Sequence, residues 1–129
     1  MSTRIAALSG KRCLLLENEL LIALDIEQIL QAAGAAGVVS FADADHAMTA
    51  LRSGARFDVA ILDVLLGGAS RTSDDVARAL QLQKTPFVFL TGMRDASAQA
   101  RNFPAAPVVH KPFVPELLLT AVVRALAGP

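Results

Sequence analysis

Several features that decide the class of other small proteins are scarce in this chain of 129 residues. It has one cysteine, which excludes an internal disulfide and fits a reducing compartment. Its 12 basic and 12 acidic residues cancel, so the basic excess typical of nucleic-acid-binding domains is missing. No apolar run reaches the roughly 20 residues of a membrane-spanning helix, and residues 1–10 lack the layout of a secretion signal. We therefore predict a cytoplasmic protein that binds neither nucleic acid nor membrane.

The composition of the chain favours a single packed domain. Hydrophobic residues make up 53% of the sequence, and the mean hydropathy is +0.48. A chain of this length can bury a substantial core. We find no linker, internal repeat or low-complexity segment. The prediction is one domain over residues 1–129, with its core over about residues 11–127.

Short apolar runs alternate with segments of helical periodicity. The runs predict strands at Cys13–Leu16, Gly37–Ser40, Phe57–Leu62, Pro86–Leu90 and Pro107–Val109. The periodic segments predict helices at Leu20–Ala33, Asp43–Arg52, Ser73–Gln83, Asp95–Arg101 and Phe113–Ala127. Asp43 and Ser73 are predicted to cap two of these helices. Strands that alternate with helices form a parallel sheet with helices on both faces, so we predict a five-stranded, doubly wound α/β fold.

Polar side chains follow four of the five predicted strands. Glu17, Asn18 and Glu19 follow the first strand, and Asp63, Thr91 and Lys111 follow the third, fourth and fifth. In open α/β sheets ligands bind beyond the carboxyl ends of the strands. A lone aspartate at a strand end is usually a helix cap or a loop residue. Complementary groups at four strand ends instead predict one shared site.

These motifs give the chain a resemblance to the receiver domains of two-component response regulators, from Lys11 to Leu126. The matching segments are "LLLENE", "FDVAILD" ending in Asp63, "FVFLTG" with Thr91, and "HKPF" with Lys111. The resemblance implies a flavodoxin-like (βα)5 fold with strand order 2-1-3-4-5. The segment "APVVHKPF" is similar to that of receivers that stand alone without an output domain. The implied function is a phosphoacceptor signalling domain and not an enzyme with its own substrate.

The resemblance also assigns roles in phosphoryl transfer. Asp63 would accept the phosphoryl group from a sensor histidine kinase or a histidine phosphotransfer protein, in a reaction that the domain itself catalyses. A carboxylate can attack such a donor, and a lysine can bind the oxygens of the transferred group. Lys111 would make this contact, and Thr91 would be the switch hydroxyl. A cis Lys111–Pro112 bond is the expectation from the resemblance.

The same resemblance implies a Mg²⁺ site. Glu17 and Asn18 would occupy the acidic-pair positions, and Asp63 and the backbone carbonyl of Leu65 would complete the ligands. Mg²⁺ prefers hard oxygen ligands and keeps several waters. Asn18 offers a neutral oxygen where receivers usually have a carboxylate, so we predict weaker Mg²⁺ binding. Glu19 is expected in the first helical turn, where it favours the helix dipole.

Two predicted helices carry more apolar residues than one buried face needs. In the last helix Leu118, Ala121, Val122 and Ala125 form one stripe, and Leu119, Val123 and Leu126 form a second. We predict a homodimer through this helix and the fifth strand; the alternative is an exposed, alanine-rich surface. In the first helix Leu20, Leu21 and Leu24 lie beside the core positions. By the resemblance they would face the helices of the kinase.

The sequence is compatible with three functions. The first is a receiver that accepts phosphate. The second is a degenerate receiver that acts as a phosphorylation-independent protein-binding module. Asn18 favours this second function, as does Val108, which stands where receivers commonly carry a rotating aromatic residue three positions before the lysine. The third is an enzyme on a similar fold, which the residues disfavour. A haloacid-dehalogenase-type phosphatase would need a second aspartate where this chain has Leu65, and a flavodoxin-like cofactor binder would need a neutral or hydroxyl-rich phosphate loop where Glu17 and Glu19 stand.

Overall fold

The computed structural model describes residues 4–64, 72–92 and 97–128. Its strands are β1 (Arg12–Leu16), β2 (Gly37–Phe41), β3 (Val59–Asp63), β4 (Phe87–Thr91) and β5 (Val108–His110). Its helices are α1 (Leu20–Ala32), α2 (Ala44–Arg52), α3 (Ser73–Leu82), α4 (Ser97–Asn102) and α5 (Pro115–Ala127). A 3-10 turn at Ala6–Leu8 precedes β1, and Leu8 is buried in the core.

The strands form one parallel sheet in the order β2-β1-β3-β4-β5. This confirms the predicted fold and strand order. The chain reverses its direction of winding between β1 and β3, which is the switch point where ligands bind in such sheets. In the register of the sheet, Asp63 pairs with Leu90 and Thr91 pairs with His110. The ends of these strands therefore lie along one edge.

Alternating side chains of the strands build two cores, one on each face of the sheet. Cys13 and Leu15 pack on the face that is covered by α1 and α5. Leu14 and Leu16 pack on the opposite face, under α2 and α3. All residues of β3 and β4 are buried, as expected for central parallel strands with helices on both sides. This explains why the strands appear in the sequence as continuous apolar runs.

The helix starts follow capping chemistry with one correction. Asp43 accepts a hydrogen bond from the His46 backbone N–H at 2.8 Å, and this bond is the largest cause of its lowered pKa. The prediction that Ser73 caps α3 was wrong by one residue, because Thr72 is the cap. Thr72 and Asp75 form a reciprocal capping box, and Ser73 is the buried first residue of the helix. The start that we predicted for the fourth helix, Asp95, lies outside the described residues.

The last helix is more deeply packed than its sequence suggested. The first stripe, Leu118, Ala121, Val122 and Ala125, is buried, as predicted for the core face. Leu119 and Leu126 of the second stripe are half-buried and pack against the same core. The helix contacts β3, β4, β5 and the 3-10 turn, which together cover a wide face. None of the helices in the described ranges is long and apolar enough to cross a membrane.

Candidate functional site

Backbone pairing continues past the strand ends and fixes the residues that follow them. The backbone N–H of Glu17 donates to the carbonyl of Phe41 at 3.0 Å. The backbone N–H of Lys111 donates to the carbonyl of Thr91 at 2.7 Å. Asp63 is itself the last residue of β3. The predicted site residues are thus held at one edge by the sheet, with limited freedom of the main chain.

The Lys111 ammonium lies between two buried carboxylates. Its Nζ is 2.8 Å from Glu17 Oε1 and 3.5 Å from Asp63 Oδ2. The Glu17 side chain has no exposed surface, and that of Lys111 is 16% exposed. Because β3 and β4 separate β1 from β5, only long side chains can join these strand ends. The predicted convergence of acids and a lysine is confirmed for these three residues.

The charges of this cluster do not cancel, since two carboxylates share one ammonium. Burial lowers the pKa of Lys111, but its ion pairs with Glu17 and Asp63 outweigh burial and raise the pKa above its ordinary value. The lysine is therefore positively charged at neutral pH. Glu17 makes a second contact, because its Oε2 accepts a hydrogen bond from the backbone N–H of Glu19 at 3.0 Å.

The structure describes two of the three remaining predicted site residues, Thr91 and Asn18. Thr91 ends β4 and is fully buried. Asn18 is exposed, immediately after Glu17. The predicted carbonyl ligand, Leu65, lies outside the described residues. The Lys111–Pro112 peptide bond is cis, as the resemblance implied.

The donor set fits Mg²⁺ with two carboxylates. Mg²⁺ commonly binds one or two carboxylates and completes its shell with waters and phosphate oxygens. Glu17 and Asp63 present such carboxylates, and both lie within 3.5 Å of the Lys111 ammonium. In the described ranges no cluster of three or more His, Cys, Asp or Glu residues could hold a metal. The residues present thus fit a site with fewer charged ligands than an all-carboxylate one.

The contact between Glu17 and Lys111 was not predicted from the sequence. The resemblance assigned Glu17 to the metal and Lys111 to the phosphoryl group. The signal in the sequence that could have indicated this contact is the opposite charge of the two long side chains, which follow strands that end at the same edge of the sheet. Which partner the lysine contacts depends on side-chain rotamers that residue patterns do not encode. The pairing of Glu17 with Lys111 is therefore visible only in the structure.

An apolar surface flanks the cluster. Leu20, Leu21 and Leu24 at the start of α1 are 71%, 81% and 47% exposed. Leu117, near the start of α5, is 60% exposed. Both helices cover the same face of the sheet and begin at the edge that carries the site. The sequence of α1 contains two acidic residues, Asp25 and Glu27, and no basic one.

The remaining thiol and imidazole groups have no part in this cluster. Cys13 is fully buried, and burial, followed by the charge of Asp58, raises the pKa of its thiol to about 11. It is a core residue, as predicted. His46 and His110 are exposed, and His46 pairs with the capping residue Asp43 at 2.7 Å.

Solved structures of similar fold were found across most of the chain. A response regulator receiver protein from Sinorhizobium medicae has a TM-score of 0.83 and 29% identity, over 92% of this chain and 95% of that chain. The Vibrio cholerae chemotaxis protein CheY4 has a TM-score of 0.74 and 27% identity, over 91% of this chain and 99% of that chain. SdrG from Sphingomonas melonis has a TM-score of 0.69 and 35% identity, over 95% of this chain and 99% of that chain. No protein-family profile and no curated protein matches the chain.

Proposed function

We propose, because this chain belongs to the receiver domains of response regulators, that Asp63 accepts a phosphoryl group and thereby switches a protein-binding surface. The observation that supports this most directly is the buried Asp63 carboxylate with the Lys111 ammonium 3.5 Å away, at the switch-point edge of the sheet. A carboxylate that served only as a helix cap would need neither burial nor a lysine partner.

The proposed reaction is a displacement at phosphorus. An Asp63 carboxylate oxygen forms the new O–P bond, while the P–N bond of a phosphohistidine or the P–O bond of an acyl phosphate breaks. The leaving imidazole or carboxylate keeps the electron pair. Lys111 pairs with the phosphoryl oxygens, since its Nζ is within reach of the accepting carboxylate. The Thr91 hydroxyl, at the end of the neighbouring strand, is the proposed switch group.

The proposal includes Mg²⁺ held by Glu17, Asp63 and the neutral oxygen of Asn18. When bound, the divalent cation supplies positive charge that reduces repulsion between the nucleophile and an anionic donor. The Lys111 ammonium supplies positive charge at the same place and so reduces part of this repulsion. Asn18 provides no charge, so the affinity for Mg²⁺ should be lower than with a third carboxylate.

The proposed phosphodonor is a helical histidine-containing partner, either a sensor histidine kinase or a phosphotransfer protein. The proposal is supported by the exposed leucines Leu20, Leu21 and Leu24, which lie beside the site at the start of α1. The acidic residues of α1, Asp25 and Glu27, favour a partner whose apolar residues are flanked by lysine or arginine. A donor docked here would bring its phosphohistidine to the edge that carries Asp63.

The homodimer through α5 also stays a proposal. Val114 and Leu117 are its exposed apolar residues, whereas the second apolar stripe is half-buried within the chain. Sedimentation velocity with and without a small phosphodonor tests it. A single monomeric species at high concentration in both conditions would exclude the dimer.

Intact mass spectrometry after incubation with acetyl phosphate, with and without Mg²⁺, tests the proposed function. We expect one phosphate adduct that depends on Mg²⁺ in the unaltered chain, and none in Asp63→Asn. Asp45→Asn, which alters an exposed aspartate of α2, is the matched control and should be labelled normally. No adduct at any Mg²⁺ concentration, nor with a histidine kinase as donor, would instead favour the phosphorylation-independent binding module, to which the neutral Asn18 also points.

A further inference from the structure

We infer that Glu17 links the phosphoryl site to the start of α1, so that phosphorylation of Asp63 alters the surface formed by Leu20, Leu21 and Leu24. This inference rests on the proposed function, because it concerns the same site. It is carried by a series of contacts that runs from Asp63 through Lys111 and Glu17 to the first turn of the helix.

Glu17 uses its two oxygens for different partners. Oε1 contacts Lys111 Nζ at 2.8 Å, and Oε2 accepts a hydrogen bond from the backbone N–H of Glu19 at 3.0 Å. Glu19 is the residue that precedes α1, and its carbonyl accepts the hydrogen bond from the Ala23 N–H at 2.9 Å. One buried carboxylate therefore holds both the lysine of the site and the start of the helix.

Phosphorylation would change the balance at Lys111. Phosphorylation converts the Asp63 carboxylate, which lies 3.5 Å from Nζ, into an acyl phosphate, so that about two negative charges on the phosphoryl oxygens replace its single charge. The single charge of Glu17 then competes with a stronger anion, so the ammonium moves towards the phosphoryl oxygens. Glu17 Oε1 loses the cation that the structure shows beside it. Because a buried carboxylate without a counter-charge is unfavourable, the side chain must rotate towards the proposed Mg²⁺ position or become hydrated.

Either response of Glu17 affects the start of α1. The first N–H groups of a helix have no partner within the helix, and a carboxylate near them is favourable. The side chain of Glu19 makes no capping hydrogen bond in the described structure. The bond from Glu17 is thus the side-chain contact observed at this helix start. Its loss should loosen the turn that carries Leu20 and Leu21.

The consequence is that one surface serves for docking and for readout. The leucines at the start of α1 are the surface proposed above for the phosphodonor, whose helices would be apolar with a basic surround. Coupling between sites is reciprocal, so phosphorylation that alters this surface also alters its affinity for the donor. Such coupling would favour release of the donor after transfer. It needs no rotating aromatic side chain, which this chain lacks at Val108.

Backbone amide NMR on unphosphorylated, Mg²⁺-free chains tests the contacts themselves. In Lys111→Met we expect a shifted Glu19 amide and a loss of roughly tenfold in the protection of the Ala23 amide against hydrogen exchange. The double variant Lys111→Met with Glu17→Gln should return both amides towards the unaltered chain, because Gln keeps an acceptor and carries no charge. Lys84→Met, which changes an exposed lysine at the opposite edge of the sheet, is the matched control and should change neither amide.

The second arm adds beryllofluoride, a phosphoryl mimic, to the unaltered chain with Mg²⁺ and compares it with Mg²⁺ alone. We expect the Glu19 and Ala23 amides to change together with those of Thr91 and Lys111. Changes at Thr91 and Lys111 that leave Glu19 unmoved would overturn the inference, even where Lys111→Met fails to fold. The inference would also be overturned if the Glu19 and Ala23 amides of Lys111→Met were unchanged, or if adding Glu17→Gln did not return them towards the unaltered chain. Beryllofluoride that moves no amide of the site would contradict the proposed function, and the variants alone would then decide the link.

Discussion

Replacing Lys111 by methionine removes an ammonium from between two buried carboxylates and keeps most of the length of the side chain. In this variant Glu17 loses a cation at 2.8 Å and Asp63 loses one at 3.5 Å. Methionine retains the apolar contacts of the lysine stem, so the change is mainly one of charge. We expect a lower free energy of unfolding, because two negative charges remain buried without compensation.

The structure sets the size of this effect. At an effective dielectric constant of about 20, unit charges attract by about 6 kcal/mol at 2.8 Å and about 5 kcal/mol at 3.5 Å. The desolvation of the ammonium offsets much of this attraction. Breaking a buried pair by removing one partner costs about 3–5 kcal/mol, whereas exposed pairs contribute about 0–1 kcal/mol. Since the Glu17 side chain has no exposed surface, we expect a loss of about 3 kcal/mol.

Urea unfolding of four chains measures this loss. The unaltered chain, Lys111→Met, Glu17→Gln and the double variant form a double-mutant cycle. The double variant should recover most of the stability that Lys111→Met loses, because position 17 is then neutral. Lys84→Met should stay within about 0.5 kcal/mol of the unaltered chain. A loss in Lys111→Met as small as that of this control would refute the reasoning that the pair is buried and strong.

Further predictions concern the metal, the core thiol and the docking surface. Asn18→Asp should raise Mg²⁺ affinity by roughly tenfold in titration calorimetry, because it adds a charge to the ligand set; unchanged affinity would remove Asn18 from the site. The folded Cys13 thiol has a pKa raised from 9.0 to about 11, so its contribution to stability is complete below pH 9 and is lost as the pH rises towards 11. Relative to Cys13→Ala, the unaltered chain should lose up to about 2–3 kcal/mol over that interval, and parallel pH profiles would contradict this. Leu21→Ser should slow phosphotransfer from a histidine kinase while leaving labelling by acetyl phosphate unchanged; equal slowing of both would argue against a docking role.

Most elements of the fold could be predicted because helices cover both faces of the sheet and bury its central strands. Each strand then appears as an apolar run, and the helices between runs keep their own period. The predicted third and fourth strands stopped at their last apolar residue, whereas the structure continues each of them by one residue, to Asp63 and Thr91. Ladder hydrogen bonds join backbones and do not require an apolar side chain. The two polar residues are therefore more firmly held than loop residues would be.

The convergence of the site could also be predicted, since parallel strands end at a common edge. The partner of Lys111 could not, because Glu17 and Asp63 are both within reach and rotamers decide between them. The partial burial of the second apolar stripe of α5 was not predicted, for a related reason. Periodicity shows that Leu119 and Leu126 are apolar, but the width of the face that the sheet covers depends on how the helix packs.

The formation of an aspartyl phosphate at Asp63 is the central claim, and chemical trapping tests it most directly. After labelling with acetyl phosphate and Mg²⁺, borohydride reduces an acyl phosphate to an alcohol, and peptide mass mapping then locates the altered residue. We predict homoserine at position 63 in the labelled chain and an unaltered aspartate there without the donor. Homoserine or its glutamate counterpart at another position, with position 63 unaltered, would contradict the assignment.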